Sequence, residues 1–311
     1  MPRLKVIVNP QAGRGYARQI SPLICRCLKA LSLDFDLVHT NAAGEAIDLA
    51  GQAVDEGFDT IVAVGGDGTS HEVINGMMSR ANGEAMGVFA SIPAGSGNDF
   101  ASMNGMPADV EAACQIIAEG QVRQVDLGRV TIDGVISRYF NNTIGIGFDG
   151  LVVKETRKFR KLRGMLLYLV VVLKTIFLTM RPARSEITYD GQTFRATPIM
   201  VVISNGPREG GSFMVAPNAR YDDGYFDLII AETMSRFEML AMIPRFMKGT
   251  HLSHRRIKAI RARHIAIKSE DPLHIHVDGE ILCEEAHHVQ VEIVPGTLAV
   301  IGAESIAYST N

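Results

Sequence analysis

Val62-Ala63-Val64-Gly65-Gly66-Asp67-Gly68-Thr69 is a short apolar run that breaks into glycines and a carboxylate before a helical pattern begins. The apolar part reads as a buried strand. Thr69 and Glu72 have the T-x-x-E spacing of a capping box, so a helix through Val73, Ile74 and Met77 is expected to start at Thr69. Its first turn would present unpaired N–H groups and the positive end of a helix dipole beyond the strand, a natural place for an anion. The glycines let backbone approach that anion without a Cβ in the way. Asp67 has the wrong sign for phosphate and makes sense beside Mg²⁺ or a reacting hydroxyl. Together these residues point to a nucleotide phosphate with a metal. The plainer alternative, a tight turn with Asp67 as a second cap, needs only one or two of the glycines.

With 311 residues, 47% hydrophobic and 21% charged, the chain has room for two domains and a large core. A net charge of -3 argues against a nucleic-acid partner, since such proteins carry a basic excess. Cys25, Cys27, Cys114 and Cys283 show no C-x-x-C spacing, so reduced thiols in a cytoplasmic protein are expected. Val6-Ile7-Val8 is too short an apolar run for a signal-peptide core.

Strands are expected at Leu4 to Val8, Phe35 to Val38, Thr60 to Val64 and Met86 to Ser91, with helices up to about Leu31 and from Ala43 to Glu56. Strands alternating with helices imply a parallel sheet, and ligands on such sheets bind beyond the carboxyl ends of the strands. Asn9 to Gly15, Thr40, Gly65 to Thr69 and Gly95 to Asp99 all fall there. From about Val122 the pattern changes to period two. Asp133-Gly134, Asp190-Gly191, Asp223-Gly224 and Asp278-Gly279 mark turns, so the second half is expected to be antiparallel. The expected division is an α/β domain over 1–125 and a β-rich, sandwich-like domain over 126–295. The last strands, Val289 to Val294 and Leu298 to Ile301, could join either, with 296–311 returning to the first.

Ile92-Pro93-Ala94-Gly95-Ser96-Gly97-Asn98-Asp99-Phe100-Ala101 is a second glycine-rich loop after a strand, with Ser96 suited to phosphate and Asp99 a second carboxylate. G-S-G-N-D alone is a weak signal, but following the first loop it is a strong one. Here the sequence resembles the diacylglycerol kinase catalytic-domain family, which includes bacterial lipid kinases and, more distantly, sphingosine and ceramide kinases. Val8-Asn9-Pro10-Gln11-Ala12-Gly13 resembles the family's opening loop, and Gly145-Ile146-Gly147-Phe148-Asp149 its G-x-G-F-D strand end. Ala216 to Asp227 resembles its A-P-x-A-x-x-x-D-G-x-x-D segment and Val277-Asp278-Gly279-Glu280 its late D-G-E.

The resemblance implies ATP-dependent transfer of a γ-phosphoryl group to a lipid hydroxyl, most simply that of diacylglycerol or a related long-chain alcohol, in a cleft between the two domains. Carried over motif by motif, Asn9, Thr40, Gly66, Asp67, Gly68, Thr69, Glu72, Gly95 and Ser96 would hold ATP. Asp67 and Asp99 would organise a catalytic Mg²⁺, and Glu280 would take the proton from the attacking hydroxyl. A structural Mg²⁺ would sit on the Asp223 carboxylate and the carbonyls of Arg220 and Tyr225, with Asp222 and Asp227 behind. Glycine amides, Mg²⁺ and one base suffice for phosphoryl transfer through a loose transition state, and a carboxylate base works where burial raises its pKa. Away from these motifs, Asp278-Gly279-Glu280 would read as a hairpin turn with an exposed glutamate, and Asp222-Asp223-Gly224 as a type I′ turn.

His274 and His276 alternate along a strand and His287-His288 are expected in a loop, a poor pattern for zinc. Met234, Met239, Met242 and Met247 are expected as helix core, and Arg255, Arg256, Lys258, Arg261 and Arg263 as a solvated strand face open to anionic lipid. Lys154, Arg157, Lys158, Arg160, Lys161 and Arg163 lead into Gly164 to Met180, apolar except for Lys174. As a helix of about 26 Å the apolar part is short of a ~30 Å hydrocarbon core, so no transmembrane segment is expected. A buried helix with a basic lead-in is the plain reading. Several basic residues at about 1 kcal/mol each would nonetheless hold a peripheral protein at an anionic membrane that carries its lipid substrate. NAD kinases and some phosphofructokinases share G-G-D-G-[ST], but no N-E or S-T-G-S-T-A-Y segment follows here. Retention of Asp67, Asp99, Asp223 and Glu280 together argues against a regulatory module without catalysis. A homo-oligomer is compatible with the sequence.

Overall fold

The computed structural model describes residues 2–80, 87–156, 158 and 164–303, with backbone only over 164–168. It divides into two compact units, one running to Leu127 and resuming from Pro295, the other spanning Gly128–Val294.

In the first unit, β1 (Arg3–Val8), β2 (Asp34–His39), β3 (Thr60–Gly65) and β4 (Val88–Pro93) lie in the order β4-β3-β1-β2, all parallel. Helices α1 (Tyr16–Ala30), α2 (Glu45–Asp55), α3 (Asp67–Arg80), α4 (Asp99–Met103) and α5 (Val110–Glu119) connect or follow them. Val6, Val8, Val62, Val64, Ala90 and Ile92 of the strands pack with Ile20, Ile24 and Leu28 of α1 and Cys114 and Ile117 of α5. Strands buried on both faces are continuous apolar runs, which is why β3 was recognisable. Strand β4 runs two residues later than expected, and Met86 lies outside the described residues.

Helix α3 begins at Asp67, two residues ahead of the expected Thr69, and the side chains expected to close a capping box reach elsewhere. Thr69 Oγ1 accepts from Asn9 Nδ2 at 3.1 Å, and a Glu72 carboxylate oxygen accepts from the Gly44 N–H at 3.0 Å. Tertiary partners outcompete the local cap: Thr69 already sits inside the helix, its N–H bonded to the Gly66 carbonyl.

In the second unit, β7 (Thr143–Gly147), β10 (Pro198–Ser204), β11 (Phe226–Glu232), β12 (Ile257–Ala262), β13 (His264–Val277) and β14 (Glu280–Ile301) pair antiparallel in the order β12-β11-β10-β7-β13-β14. Hairpins β5 (Val122–Ile132) with β6 (Ile136–Phe140) and β8 (Ser185–Tyr189) with β9 (Gln192–Ala196) complete the strands, and β5 and β14 each run on from one unit into the other. Helices α6 (Phe148–Thr156), α7 (Gly164–Lys174) and α8 (Arg236–Lys248) belong here, and a π-helical turn, Thr175–Thr179, extends α7.

Three of the four Asp-Gly pairs form hairpin turns with positive φ at both residues, the geometry these residues favour: Asp133-Gly134, Asp190-Gly191 and Asp278-Gly279. Each aspartate also accepts N–H groups of a distant strand, Asp133 from His287 and His288 and Asp190 from Arg263 and His264. Asp223-Gly224 is different: only Gly224 has positive φ, so this is no type I′ turn. The bonds from Asp133 also explain why His287 and His288 lie in β14 rather than in a loop, His288 opposite Lys268. The last two expected strands are one, β14, which passes through Pro295-Gly296 where the Gly296 N–H (φ 56) is taken by Asp126. Of the methionines, Met239 and Met242 are buried in α8 and Met234 just before it, whereas Met247 is exposed.

His251 is wholly buried, stacked on Phe246 with ring centroids 3.9 Å apart, its Nε2 3.0 Å from the Val215 carbonyl. Burial pushes its imidazole down to about 4 from 6.5, against the opposing backbone hydrogen bonds. Between those two values the unfolded chain binds the proton and the folded chain does not, so stability rises with pH across the window and is lost as pH falls through it. We expect about 3 kcal/mol of acid destabilisation from this group, absent in His251→Phe. Urea unfolding across that window checks it. Equal pH slopes in the two proteins would assign the acid sensitivity to other groups.

Candidate functional site

Four loops of the first unit are bound to one another at the carboxyl ends of its strands. The Asn9 N–H donates to the Val64 carbonyl, the Thr40 N–H to that of Val8 and the Ala94 N–H to that of Gly65. Two contacts demand glycine. A Cβ on Gly95 would lie 2.4 Å from the Gly66 Cα, and one on Gly13 would lie 2.3 Å from the Ala94 carbonyl oxygen. Asn98, in the left-handed region at φ 57, braces the 95–98 loop by accepting from the Gly95 N–H and donating to its carbonyl. The Asp67 carboxylate accepts from the Phe100 N–H at 3.1 Å, tying the start of α3 to the start of α4.

The structure thus brings together Asn9, Gly66, Asp67, Gly68, Thr69 and Gly95, with Thr40 buried beside β1 and Ser96 exposed on the loop tip. Glu72 faces the Gly44 amide, so its place is beneath loop 40–44. Asp99 is buried at the first position of α4. Backbone amides at the start of α3, room left by absent Cβ atoms, and carboxylates at Asp67 and Asp99 are a donor set that suits a polyphosphate with a hard cation.

The other expected site residues lie in the second unit. Glu280 stands exposed at the first position of β14, directly after the Asp278-Gly279 turn. Asp278 is structural: its carboxylate accepts the N–H groups of Asn141, Asn142 and Thr143 at 2.9–3.1 Å. Asp223 accepts from the Tyr225 N–H with one oxygen and from the Arg261 guanidinium, at 2.5 Å, with the other. Arg261 and Arg263 both lie 4.5 Å from the Tyr225 ring, so this part of the expected solvated strand face is paired. Arg220 is paired with Asp222. Asp227 is buried, and burial pushes its carboxyl up to about 6, with Arg261 opposing and Asp223 adding to the rise.

Sequence reasoning missed one group. His276 is wholly buried, its Nε2 2.9 Å from Asp149 Oδ2 and 3.2 Å from Glu209 Oε1, and ligand atoms of the three lie within 4.8 Å of one another. Burial opposes charge on this ring, while the negative charge of Glu209, Asp149 and Asp278 favours a proton in the cluster they form with it. Asp149 ends a quoted motif, but nothing local marks Glu209 as its neighbour.

The family model "Diacylglycerol kinase catalytic domain" matches residues 3–130, and "YegS C-terminal NAD kinase beta sandwich-like domain" matches 142–302. A Staphylococcus aureus protein named diacylglycerol kinase is 30% identical over 279 residues, 89% of this chain and 86% of that one. The chain belongs to the diacylglycerol kinase family. A Bacillus subtilis protein of that name is 29% identical over 282 residues, covering 90% of each chain. A putative diacylglycerol kinase from Bacillus anthracis superposes with a TM-score of 0.80 at 26% identity over 98% of this chain and 97% of that one. Family membership makes this chain a kinase, and its fold, parallel α/β followed by antiparallel β, is the family's. Among the described residues, no helix is long and apolar enough to cross a membrane.

Proposed function

We propose that this kinase transfers the γ-phosphoryl group of ATP to the hydroxyl of diacylglycerol or a related long-chain lipid alcohol. The observation that supports it most is the glycine-to-glycine contact of loops 65–69 and 95–98, a phosphate cradle at the strand ends of a diacylglycerol kinase-family chain. In this reading the cradle amides orient the phosphates, with Asn9, Thr40, Thr69, Glu72 and Ser96 shaping the nucleotide's surroundings. Asp67 and Asp99 would hold a Mg²⁺ ion, whose chemistry when bound is to neutralise phosphate charge. The acceptor oxygen bonds to the γ-phosphorus, the bond from that phosphorus to the bridging oxygen of ADP breaks, and the hydroxyl proton passes to Glu280. Because Glu280 is exposed, its desolvation arrives with the acceptor. Release of ADP with diacylglycerol, a sphingoid base or a phospholipid headgroup as acceptor tests the reading, and absence of turnover with all three would overturn it.

For the turn at 220–225, the donors of Asp223 and the carbonyls of Arg220 and Tyr225 suit Mg²⁺, and Arg261 now supplies the compensating charge. Asp223→Ala is expected to abolish Mg²⁺-dependent thermal stabilisation, while Arg261→Met strengthens it by removing the competitor for Oδ2. Melting that responds to Mg²⁺ identically in all three proteins places the ion elsewhere.

We also propose that the kinase works in the cytoplasm as a peripheral membrane protein. Of the expected basic lead-in, Lys154 and Lys158 are paired with Glu284 and Glu155, while Arg157, Arg160, Lys161 and Arg163 lie outside the described residues. Leu178 and Phe237 are 75% and 79% exposed, with Phe177 and Leu173 also exposed and Arg181, Arg184 and Arg236 nearby in sequence. Apolar side chains standing in water beside cations suit an anionic interface. Leu178→Ser with Phe237→Ser is expected to weaken sedimentation with anionic vesicles about tenfold, with activity on detergent-dispersed lipid retained. Unchanged, salt-indifferent sedimentation would sink this proposal.

A further inference from the structure

We propose that His276 is a positioning residue, gripped from one side by Asp149 and Glu209 and fixing with its other nitrogen the turn that carries Glu280; this rests on the reading of Glu280 as the base. The imidazole is 0% exposed, so it reaches no substrate itself. Nε2 faces the two carboxylates, and Nδ1 faces the Gly279 N–H at 3.3 Å. An amide N–H aimed at Nδ1 requires that nitrogen to be an acceptor, so the ring's proton sits on Nε2.

The site is built to hold the ring in one place. Gly145 lies opposite His276 in the strand pair, and a Cβ there would come within 2.0 Å of Nε2 and 2.3 Å of Asp149 Oδ2. Glu209 is itself held by reciprocal backbone hydrogen bonds with Phe213. The turn is therefore clamped at both central residues: Asp278 through its carboxylate to Asn141, Asn142 and Thr143, and Gly279 through its amide to His276. The next residue is Glu280. A histidine kept merely for packing would not justify burying the Asp149 carboxylate with it and half-burying that of Glu209, since an apolar replacement fills such a space at lower cost. What the ring adds is an oriented acceptor under the turn.

Two substitutions separate positioning from simple support of the carboxylates. Asn at 276 keeps an acceptor near the Nδ1 position but cannot reach Asp149 and Glu209; Gln reaches toward the carboxylates and leaves Gly279 without its partner. We expect His276→Gln to lower kcat by about thirtyfold with KM for ATP within about twofold, and His276→Asn to stay within about threefold of wild type. In a Glu280→Gln background, His276→Gln should cost nothing further, because both changes act on one step. The opposite order, with Gln tolerated and Asn damaging, overturns the proposal, as does an additive loss in the double variant. Wild-type turnover by Glu280→Gln alone overturns the base reading and this proposal with it, whereas a slow Glu280→Gln with additive His276 effects leaves the base in place.

Discussion

Glu280→Gln is expected to lower kcat by on the order of 10²-fold or more, with thermal stability and nucleotide affinity close to wild type. The substitution changes the charge of one exposed side chain at the start of β14 and none of the bonds that hold the turn, which run through Asp278, Gly279 and His276. Folding therefore loses little. Proton acceptance is lost entirely, because an amide cannot take the hydroxyl proton, and general-base catalysis contributes about 10²–10⁴-fold where it operates. Steady-state kinetics with saturating lipid give the answer. A kcat within about threefold of wild type would remove Glu280 from the chemistry and return the Asp278-Gly279-Glu280 turn to a purely structural role.

Much of the architecture was legible because it is written locally. β3 is an unbroken apolar run, the parallel order follows from alternation with helices, and Asp-Gly pairs with positive φ mark three hairpins. What escaped was non-local. Glu72 satisfies the T-x-x-E pattern, yet its carboxylate is claimed by an amide 28 residues away. Asp223 resembles a metal-binding turn from its own neighbours, but its salt bridge comes from Arg261, 38 residues on. Glu209 carries no motif, and only the strand order brings it to His276 and Asp149. Local patterns define which elements form and which loops gather at the strand ends. Charge partners in the β-rich unit are decided by register, and one residue of slippage would change all of them.

Gly95→Ala should cost about 10²-fold in kcat/KM for ATP while the protein still folds cooperatively, and Gly66→Ala should cost distinctly less. The asymmetry follows from the contact itself. A methyl on Gly95 meets the Gly66 Cα at 2.4 Å and the Asn98 Oδ1 at 2.9 Å, distances no packed carbon tolerates, whereas a methyl on Gly66 meets the Gly95 Cα at 3.1 Å. In the first case the opposing atom is backbone that cannot swing aside, and the Asn98 brace on the 95–98 loop is pressed as well. The loops must part by about an ångström, and a displacement of that size in groups that orient a reacting phosphate is worth about 10²-fold. In the second case a shift of a few tenths of an ångström suffices. Both contacts lie at loop tips above the strands, outside the core of Val62, Val64, Ala90 and Ile92, so unfolding should remain a single transition in each variant. Nucleotide titration of the two variants measures the difference directly. Equal affinities, or an unaffected Gly95→Ala enzyme, would mean that the phosphates lie away from the 66–95 contact and that these glycines serve only to pack two turns together.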